Sequence, residues 1–260
     1  MRLISLILLF LLSGTVSAQK VEWYTTTQTS PWVKQKVKPE RVTTGAEIVL
    51  DPTLRLQLIT GIGGCFNEMG WDALNALSAE DREAVLQAIF SKDGACFNYC
   101  RLPMGANDFA MSFYSSADVA GDFNLVNFNI DRDRYILIPY IKAARQINPD
   151  LRIWASPWCP PAWMKTNNHY ASAVRPSGEK DVNGLLPREA IAEFSTGFRM
   201  EEGYLKTYAD YFARFIKAYE AEGLPLECIH VQNEPCSNQV FPSCKWRTED
   251  LTFFLGHYLG

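Results

Sequence analysis

The feature that most constrains the fold is an alternation of apolar, strand-like runs with segments of helical periodicity. The four runs are LQLITGIGGCF, ACFNYCRLPMG, LRIWASPW and LECIHVQNE. They are apolar rather than alternately apolar and polar, which is typical of parallel strands that helices cover on both faces. The pattern therefore predicts an α/β fold with a parallel sheet, built either as a doubly wound open sheet or as a βα barrel.

Four helices are predicted between and after these runs. The first has Ser78 as its N-cap, because a hydroxyl there accepts a hydrogen bond from an otherwise unpaired backbone N–H. Pro139 is expected to bend the second. The third, from about Met200 to Glu222, carries an aromatic stripe at helical spacing, which predicts a core-facing side. The fourth begins behind Thr248.

The N-terminus has the pattern of a signal peptide. A positive start at Arg2 is followed by the apolar run Leu3–Leu12 and by small residues up to Ala18. The apolar run is shorter than the roughly 20 residues of a membrane span, so an uncleaved anchor is the less favoured alternative. We predict a signal peptide over residues 1–18, cleavage after Ala18, no membrane span after cleavage, and a secreted or periplasmic protein.

Composition excludes several classes of function. The net charge is −4 and no basic run is present, which argues against a nucleic-acid partner. Three histidines and no Cys-x-x-Cys pair make a zinc site improbable, and we expect neither a metal nor a cofactor. Most of the seven cysteines lie in apolar surroundings and are predicted to be buried. Cys236 and Cys244 flank a polar loop, where a disulfide is left open.

The residues whose side chains could bind or catalyse lie where the predicted strands end. The glycines of GIGG do not form a dinucleotide-binding fingerprint, because Phe66 stands where the third glycine belongs. Polar and aromatic residues instead follow the strand ends: Glu68, Arg101, Asp108, Trp158 and Glu234. In βα barrels this rim is where active sites are built.

These residue types suit the recognition and cleavage of sugars. Glu234 stands beside an amide, Asn233, and is followed at once by Pro235. A carboxylate at the end of an apolar strand is unfavourable unless it is partnered or used. Aromatic rings with carboxylates and amides in a cleft are typical of ligand sites, and glycosidic cleavage generally uses two carboxylates. A capping or ion-paired carboxylate is the structural alternative for Glu234.

Five stretches together resemble glycoside hydrolase family 30, which includes glucosylceramidases and β-1,6-glucanases. They are GIGGCFNE, FNYCRLPMGANDFAMSFYS, ASPWCPPAWMKTN, VQNEP and FPSCKW. The resemblance implies a (β/α)₈ TIM barrel with a side β-sandwich. Residues 19–58, which are polar and strand-leaning, would contribute short strands to the sandwich. Residues 59–260 would form a partial barrel of about four βα units.

The resemblance also implies roles for individual residues. Glu234 matches the general acid/base, and Asn233 the residue that binds the sugar 2-hydroxyl. Asp108 and Trp158 match side chains that hold the sugar in the −1 subsite, and Arg101 an arginine near the nucleophile. An Asx-turn or a helix cap is the structural alternative for Asp108.

Two further residues at the rim remain without a functional role. For Trp163 packing is favoured, and Glu68 is interpreted as a structural or rim carboxylate.

The family mechanism implies retention of configuration at the anomeric carbon. Glu234 would first protonate the leaving oxygen and then activate water, which requires a pKa raised by burial and by a second carboxylate. That second carboxylate, the nucleophile, comes from a later strand in the family and is not among these residues. We therefore expect an N-terminal fragment of a longer enzyme, with possible self-association through open barrel edges.

The substrate is left open between a β-glucan oligosaccharide and a glucosyl lipid. The polar loop 167–192 slightly favours the glucan, because a lipid would require an apolar rim. A hypothesis from another class is a non-catalytic sugar-binding remnant that keeps Trp158, Asn233 and Asp108 without the nucleophile.

Overall fold

The computed structural model of the chain divides into two compact units, residues 1–57 and 58–260. The predicted signal peptide lies outside the described residues. In the first unit, β1 (Trp23–Thr25) and β2 (Val33–Gln35) form an antiparallel pair. Membership of these strands in a side β-sandwich stays a prediction. The described residues are 21–38, 45, 51, 53–175 and 183–260.

The second unit is built on a parallel sheet whose strands follow chain order. β3 (Tyr99–Pro103), β4 (Arg152–Ser156) and β5 (Cys228–Ile229) pair in that sequence. A segment at 61–66 runs beside β3, to which Cys65 forms a parallel bridge at Arg101. Such sequential order is expected of a βα barrel and also occurs in each half of a doubly wound sheet, which reverses its strand order only at a switch point. The partial barrel stays a prediction.

The first predicted strand is therefore only a short bridged segment. Glycine explains why: a Cβ at Gly63 would lie 2.2 Å from the Tyr99 carbonyl oxygen. The segment approaches β3 so closely that only glycine fits, and glycine weakens a regular strand.

The helices agree with the sequence except in their ends and in one addition. Ser78 is confirmed as an N-cap, since its Oγ accepts a hydrogen bond from the Asp81 N–H at 3.0 Å. The addition is α1, which the sequence did not reveal and which Asn67 caps. The helices are α1 (Glu68–Asn75), α2 (Ala79–Phe90), α3 (Asp131–Tyr135), α4 (Leu137–Ile147), α5 (Glu202–Ala221) and α6 (Thr248–Phe254), with 3₁₀ turns at Ala162–Met164 and Pro187–Glu189 and a π turn at Leu255–Leu259.

The predicted distortion at Pro139 is found as a break: the helix is interrupted at Ile136 and resumes as α4, with Pro139 as its third residue. A proline here cannot donate to the Tyr135 carbonyl and its ring crowds that carbonyl, which explains the break one turn earlier. At α6, Arg247 takes the cap position and Thr248 is already helical. None of the helices in the described part of the chain is both long and apolar enough to cross a bilayer.

The aromatic face of α5 forms the centre of the core, as predicted. Its buried members are Tyr208, Tyr211, Phe212, Phe215 and Tyr219. All seven cysteines are free. Cys244 is buried in the core while Cys236 is exposed, so the suggested disulfide between them is not formed. Cys65 and Cys96 are exposed, contrary to prediction.

Candidate active site

Arg101 organises the carboxyl edge of the sheet. Its Nη2 donates a hydrogen bond to Asn233 Oδ1 at 2.8 Å, and its Nε donates to Ser156 Oγ at 3.0 Å. The guanidinium also lies 3.9 Å from the centre of the Trp158 ring, within the range of a cation–π contact. The ends of three consecutive strands thus meet at one side chain, and Arg101, Trp158 and Asn233 come together as predicted.

The contact with Arg101 fixes how the Asn233 amide is presented. Its Oδ1 is already an acceptor for the guanidinium, so its NH₂ group remains to donate to a ligand. The backbone is held as well, because the Asn233 N–H donates to the Pro157 carbonyl at 2.8 Å. Asn233 is thereby oriented as a hydrogen-bond donor at a half-buried position.

Glu234 lies next to this cluster on the exposed rim. Its φ is +43°, in the left-handed region that residues other than glycine seldom adopt. Backbone strain of this kind clusters at functional sites, although five other non-glycine residues of the described chain also have a positive φ. Gln239 Nε2 donates to Glu234 Oε2 at 3.2 Å. The carboxylate is exposed, so the burial that was predicted for the acid is not observed.

Asp108 lies in the loop after β3, inside the turn that the Ala110 N–H closes on the Asn107 carbonyl. The Asx-turn contact is made by its neighbour Asn107, whose Oδ1 accepts a hydrogen bond from the Phe109 N–H at 3.0 Å. Burial lowers the pKa of Arg101, and charge interactions with Cys65, Asp108 and Glu234 act in the opposite direction. Asp108 and Glu234 therefore both interact electrostatically with the Arg101 guanidinium.

Trp158 is more enclosed than a sugar-stacking platform. The side chain is only 6% exposed, and the Arg101 guanidinium covers one face. Its backbone carbonyl accepts a hydrogen bond from Gln232 Nε2 at 2.8 Å. A ring held in this way contributes a rigid wall to the site rather than an open stacking surface.

Glu68 supports the loop that carries Asp108. Its buried carboxylate forms a double hydrogen-bonded ion pair with Arg132, at 2.7 and 2.8 Å, and accepts the Met111 N–H at 2.7 Å. Trp163 is buried, and its Nε1 donates to the Ala117 carbonyl at 2.8 Å. Glu68 thus has a structural role, and Trp163 packs.

Sequence reasoning missed Ser156 and Gln239. Ser156 is the last residue of β4, two positions before Trp158, so its place at a strand end was a usable signal. Gln239 contacts Glu234 from five residues further along a loop, and nothing in the local sequence marks that contact.

A comparison with protein-family profiles finds one match. Residues 59–184 match the profile described as the glycosyl hydrolase family 30 TIM-barrel domain. The chain carries a glycosyl hydrolase family 30 domain. The profile match includes Arg101, Asp108 and Trp158, whereas Asn233 and Glu234 lie beyond it.

Relatives of the family 30 domain act on two kinds of glucoside, according to their names. The chain is 29% identical over 201 residues to the lysosomal acid glucosylceramidase of Mus musculus. It is 28% identical over 192 residues to an endo-1,6-β-D-glucanase of Neurospora crassa. A solved endo-β-1,6-glucanase has 26% sequence identity and a TM-score of 0.65, with 81% of this chain covered.

The matched proteins are longer than this chain. The two alignments cover 76% and 73% of this chain, but 35% of the mouse protein and 36% of the Neurospora protein. For the solved glucanase the matched share is 42% of its chain.

Proposed function

We propose that the chain belongs to a retaining hydrolase of β-glucosidic bonds in which Glu234 is the general acid/base. One observation carries the proposal: Glu234 is held on the rim, at a strained φ, directly after an asparagine that Arg101 orients as a donor. A general acid must reach the leaving oxygen, and an exposed rim carboxylate meets that requirement.

Each of these residues has a separate role in substrate binding or proton transfer. The Asn233 NH₂ group donates to the sugar 2-hydroxyl, and Asp108 accepts from another hydroxyl of the same ring. Glu234 gives its proton to the glycosidic oxygen as the bond to the anomeric carbon breaks, and then takes a proton from the attacking water. Arg101 keeps Asn233 and the Trp158 wall in place throughout.

The attacking carboxylate completes the pair that retention requires, about 5–5.5 Å from the acid. We propose that it is a glutamate outside these 260 residues. The matched relatives are more than twice the length that they share with this chain, which leaves room for such a residue.

The substrates proposed are β-glucan oligosaccharides or glucosyl lipids. Both follow from the names of the relatives, a glucosylceramidase and endo-β-1,6-glucanases.

An external nucleophile tests the proposal on the chain itself. Phenyl β-glucoside is incubated with the chain and sodium azide. Azide attacks the anomeric carbon opposite the phenoxy group, a C–N bond forms as the C–O bond breaks, and the departing oxygen takes the proton of Glu234. We expect α-glucosyl azide from the unaltered chain and from Glu220→Gln, a control at an exposed position on α5. We expect little from Glu234→Gln.

The other outcomes are equally informative. Equal product from Glu234→Gln and the unaltered chain contradicts the assignment of Glu234. Glucose released without azide supports the hydrolase activity. It contradicts the proposal that the attacking carboxylate lies outside these 260 residues. Binding of a glucose-like inhibitor without any product supports the sugar-binding remnant instead.

A further inference from the structure

A cavity of about 570 Å³ opens beside the Glu234 segment. Its walls come from the loops after β4 and β5, which include Phe194, Cys236 and Lys245. Cys236 is two residues from Glu234, and the Trp246 N–H, also from the cavity wall, donates to the Pro235 carbonyl at 2.8 Å. The volume lies within the roughly 300–1,000 Å³ of small-molecule sites. The cavity therefore adjoins the segment that follows the proposed acid, through Cys236 and the hydrogen bond between Trp246 and Pro235.

Phe194 gives this cavity an open aromatic face. The side chain is 82% exposed and its backbone has a φ of +61°, so the chain displays a large apolar ring on a strained backbone. Lys245 Nζ lies 5.9 Å from the ring centre. A flat ring with a polar group at its side matches a pyranose, which has an apolar C–H face and hydroxyls around its edge.

The charges around the cavity balance. Glu193 and Glu249 supply two negative charges, and Lys245 and Arg247 supply two positive charges. Arg247 and Glu249 approach each other to 3.5 Å. An acyl chain would desolvate these four groups without compensation, and an anionic group would meet as many carboxylates as cations. A neutral, hydroxyl-rich ligand can satisfy both signs.

We propose that this cavity is the leaving-group subsite and that it takes a second glucose unit, with Phe194 as the stacking platform. The proposal rests on the proposed function and deepens it. It assigns the enzyme to β-linked glucan oligosaccharides rather than to glucosyl lipids. Lys245 and Glu193 then bind hydroxyls of the second ring, while the Asn233 side of the site holds the first.

Two probes separate this subsite from the main site. A glucose-configured iminosugar occupies only the site at Asn233, whereas a β-1,6-linked glucose trisaccharide reaches the cavity as well. Affinities are measured on the full chain by tryptophan fluorescence, with calorimetry as a second readout. We expect Phe194→Ala to weaken trisaccharide binding roughly three- to tenfold, as loss of an aromatic contact does, and to leave iminosugar binding unchanged. Tyr135→Ala removes an equally exposed ring, at 82%, and is the control.

Each other result is decisive. Equal trisaccharide affinity in Phe194→Ala and the unaltered chain overturns the subsite, and so does a glucosyl lipid that binds in a Phe194-dependent manner. Trisaccharide binding that depends on Phe194, without iminosugar binding, keeps the subsite and contradicts the proposed main site. Binding of neither probe overturns both.

Discussion

Arg101 and Asn233 are joined by a hydrogen bond of 2.8 Å that spans the ends of β3 and β5. The bond uses the amide oxygen, so the amide nitrogen remains to donate in the proposed site. Two strands that do not neighbour each other in the sheet are thereby linked through one side chain, with Ser156 of β4 as the second anchor of the guanidinium.

Arg101→Lys should weaken binding of the iminosugar about tenfold. Lysine keeps the charge but lacks the planar fork that reaches Ser156 and Asn233 together, and a hydrogen bond to a charged group contributes about 1.5–3 kcal/mol. Calorimetric titration measures the change. Arg214→Lys is the matched control, since Arg214 also donates to two acceptors, the Leu125 and Asn124 carbonyls, away from the site. An equal loss in both variants would mean a general structural effect.

Glu68→Gln should lower the free energy of unfolding by about 3 kcal/mol. Removing one partner of a buried ion pair costs about 3–5 kcal/mol, and the lower value applies because Arg132 is 30% exposed. Urea denaturation measures the effect. Glu202→Gln breaks an exposed pair with Lys206 and should change stability little. A Glu68 variant as stable as the parent would remove the supporting role given to this carboxylate.

Asp133 should make stability fall as pH rises from about 4 to about 6. Burial raises the pKa of Asp133 to about 6, while hydrogen bonds from Tyr219 and Tyr114 oppose the shift. Because the folded pKa lies above the unfolded value near 3.9, the folded state binds the extra proton in this window. The stabilisation by this bound proton is fully present below about pH 4 and is lost as the pH rises through 6. The free energy of unfolding then falls by about 3 kcal/mol.

The substitution Asp133→Asn removes the carboxyl group and with it this titration. The difference in unfolding free energy between the parent and Asp133→Asn should therefore change across the window. Asp122 provides a contrast of opposite sign: hydrogen bonds from the Asn127 and Val126 N–H groups lower its pKa, so its contribution is lost as pH falls. If the stability of Asp133→Asn depended on pH in the same way as that of the parent, the assignment of this titration to Asp133 would be contradicted.

The place of the site could be predicted because strand ends converge. Arg101 lies in β3, and Trp158 and Asn233 follow β4 and β5. Because these strands are parallel and sequential, the meeting of the three residues follows from the sheet alone. The Glu68–Arg132 pair could not be predicted, since its members are 64 residues apart and meet only because tertiary packing brings α1 and α3 together. The first strand was overestimated for a different reason: an apolar run rich in glycine has strand-like composition, but close contact with β3 leaves it irregular.

The outer edge of β5 should promote self-association. An apolar cavity of about 330 Å³ lies beside this strand, with Ile216, Leu226 and Ile229 among its lining residues. An open strand edge next to apolar surface is a site of pairing between chains. We expect sedimentation velocity to show concentration-dependent dimers, and Ile216→Lys to reduce them. A monomer at every concentration would contradict the expectation.

The dependence of rate on the leaving group tests the role of Glu234 most directly. A series of aryl β-glucosides, from dinitrophenyl to phenyl, is compared in the presence of azide for the unaltered chain and for Glu234→Gln. A proton donor matters little when the leaving group is already stable as an anion, and contributes about 10²- to 10⁴-fold when it is not. We predict a small loss for the dinitrophenyl substrate and a large loss for the phenyl substrate. An equal loss across the series, or none, would contradict this prediction.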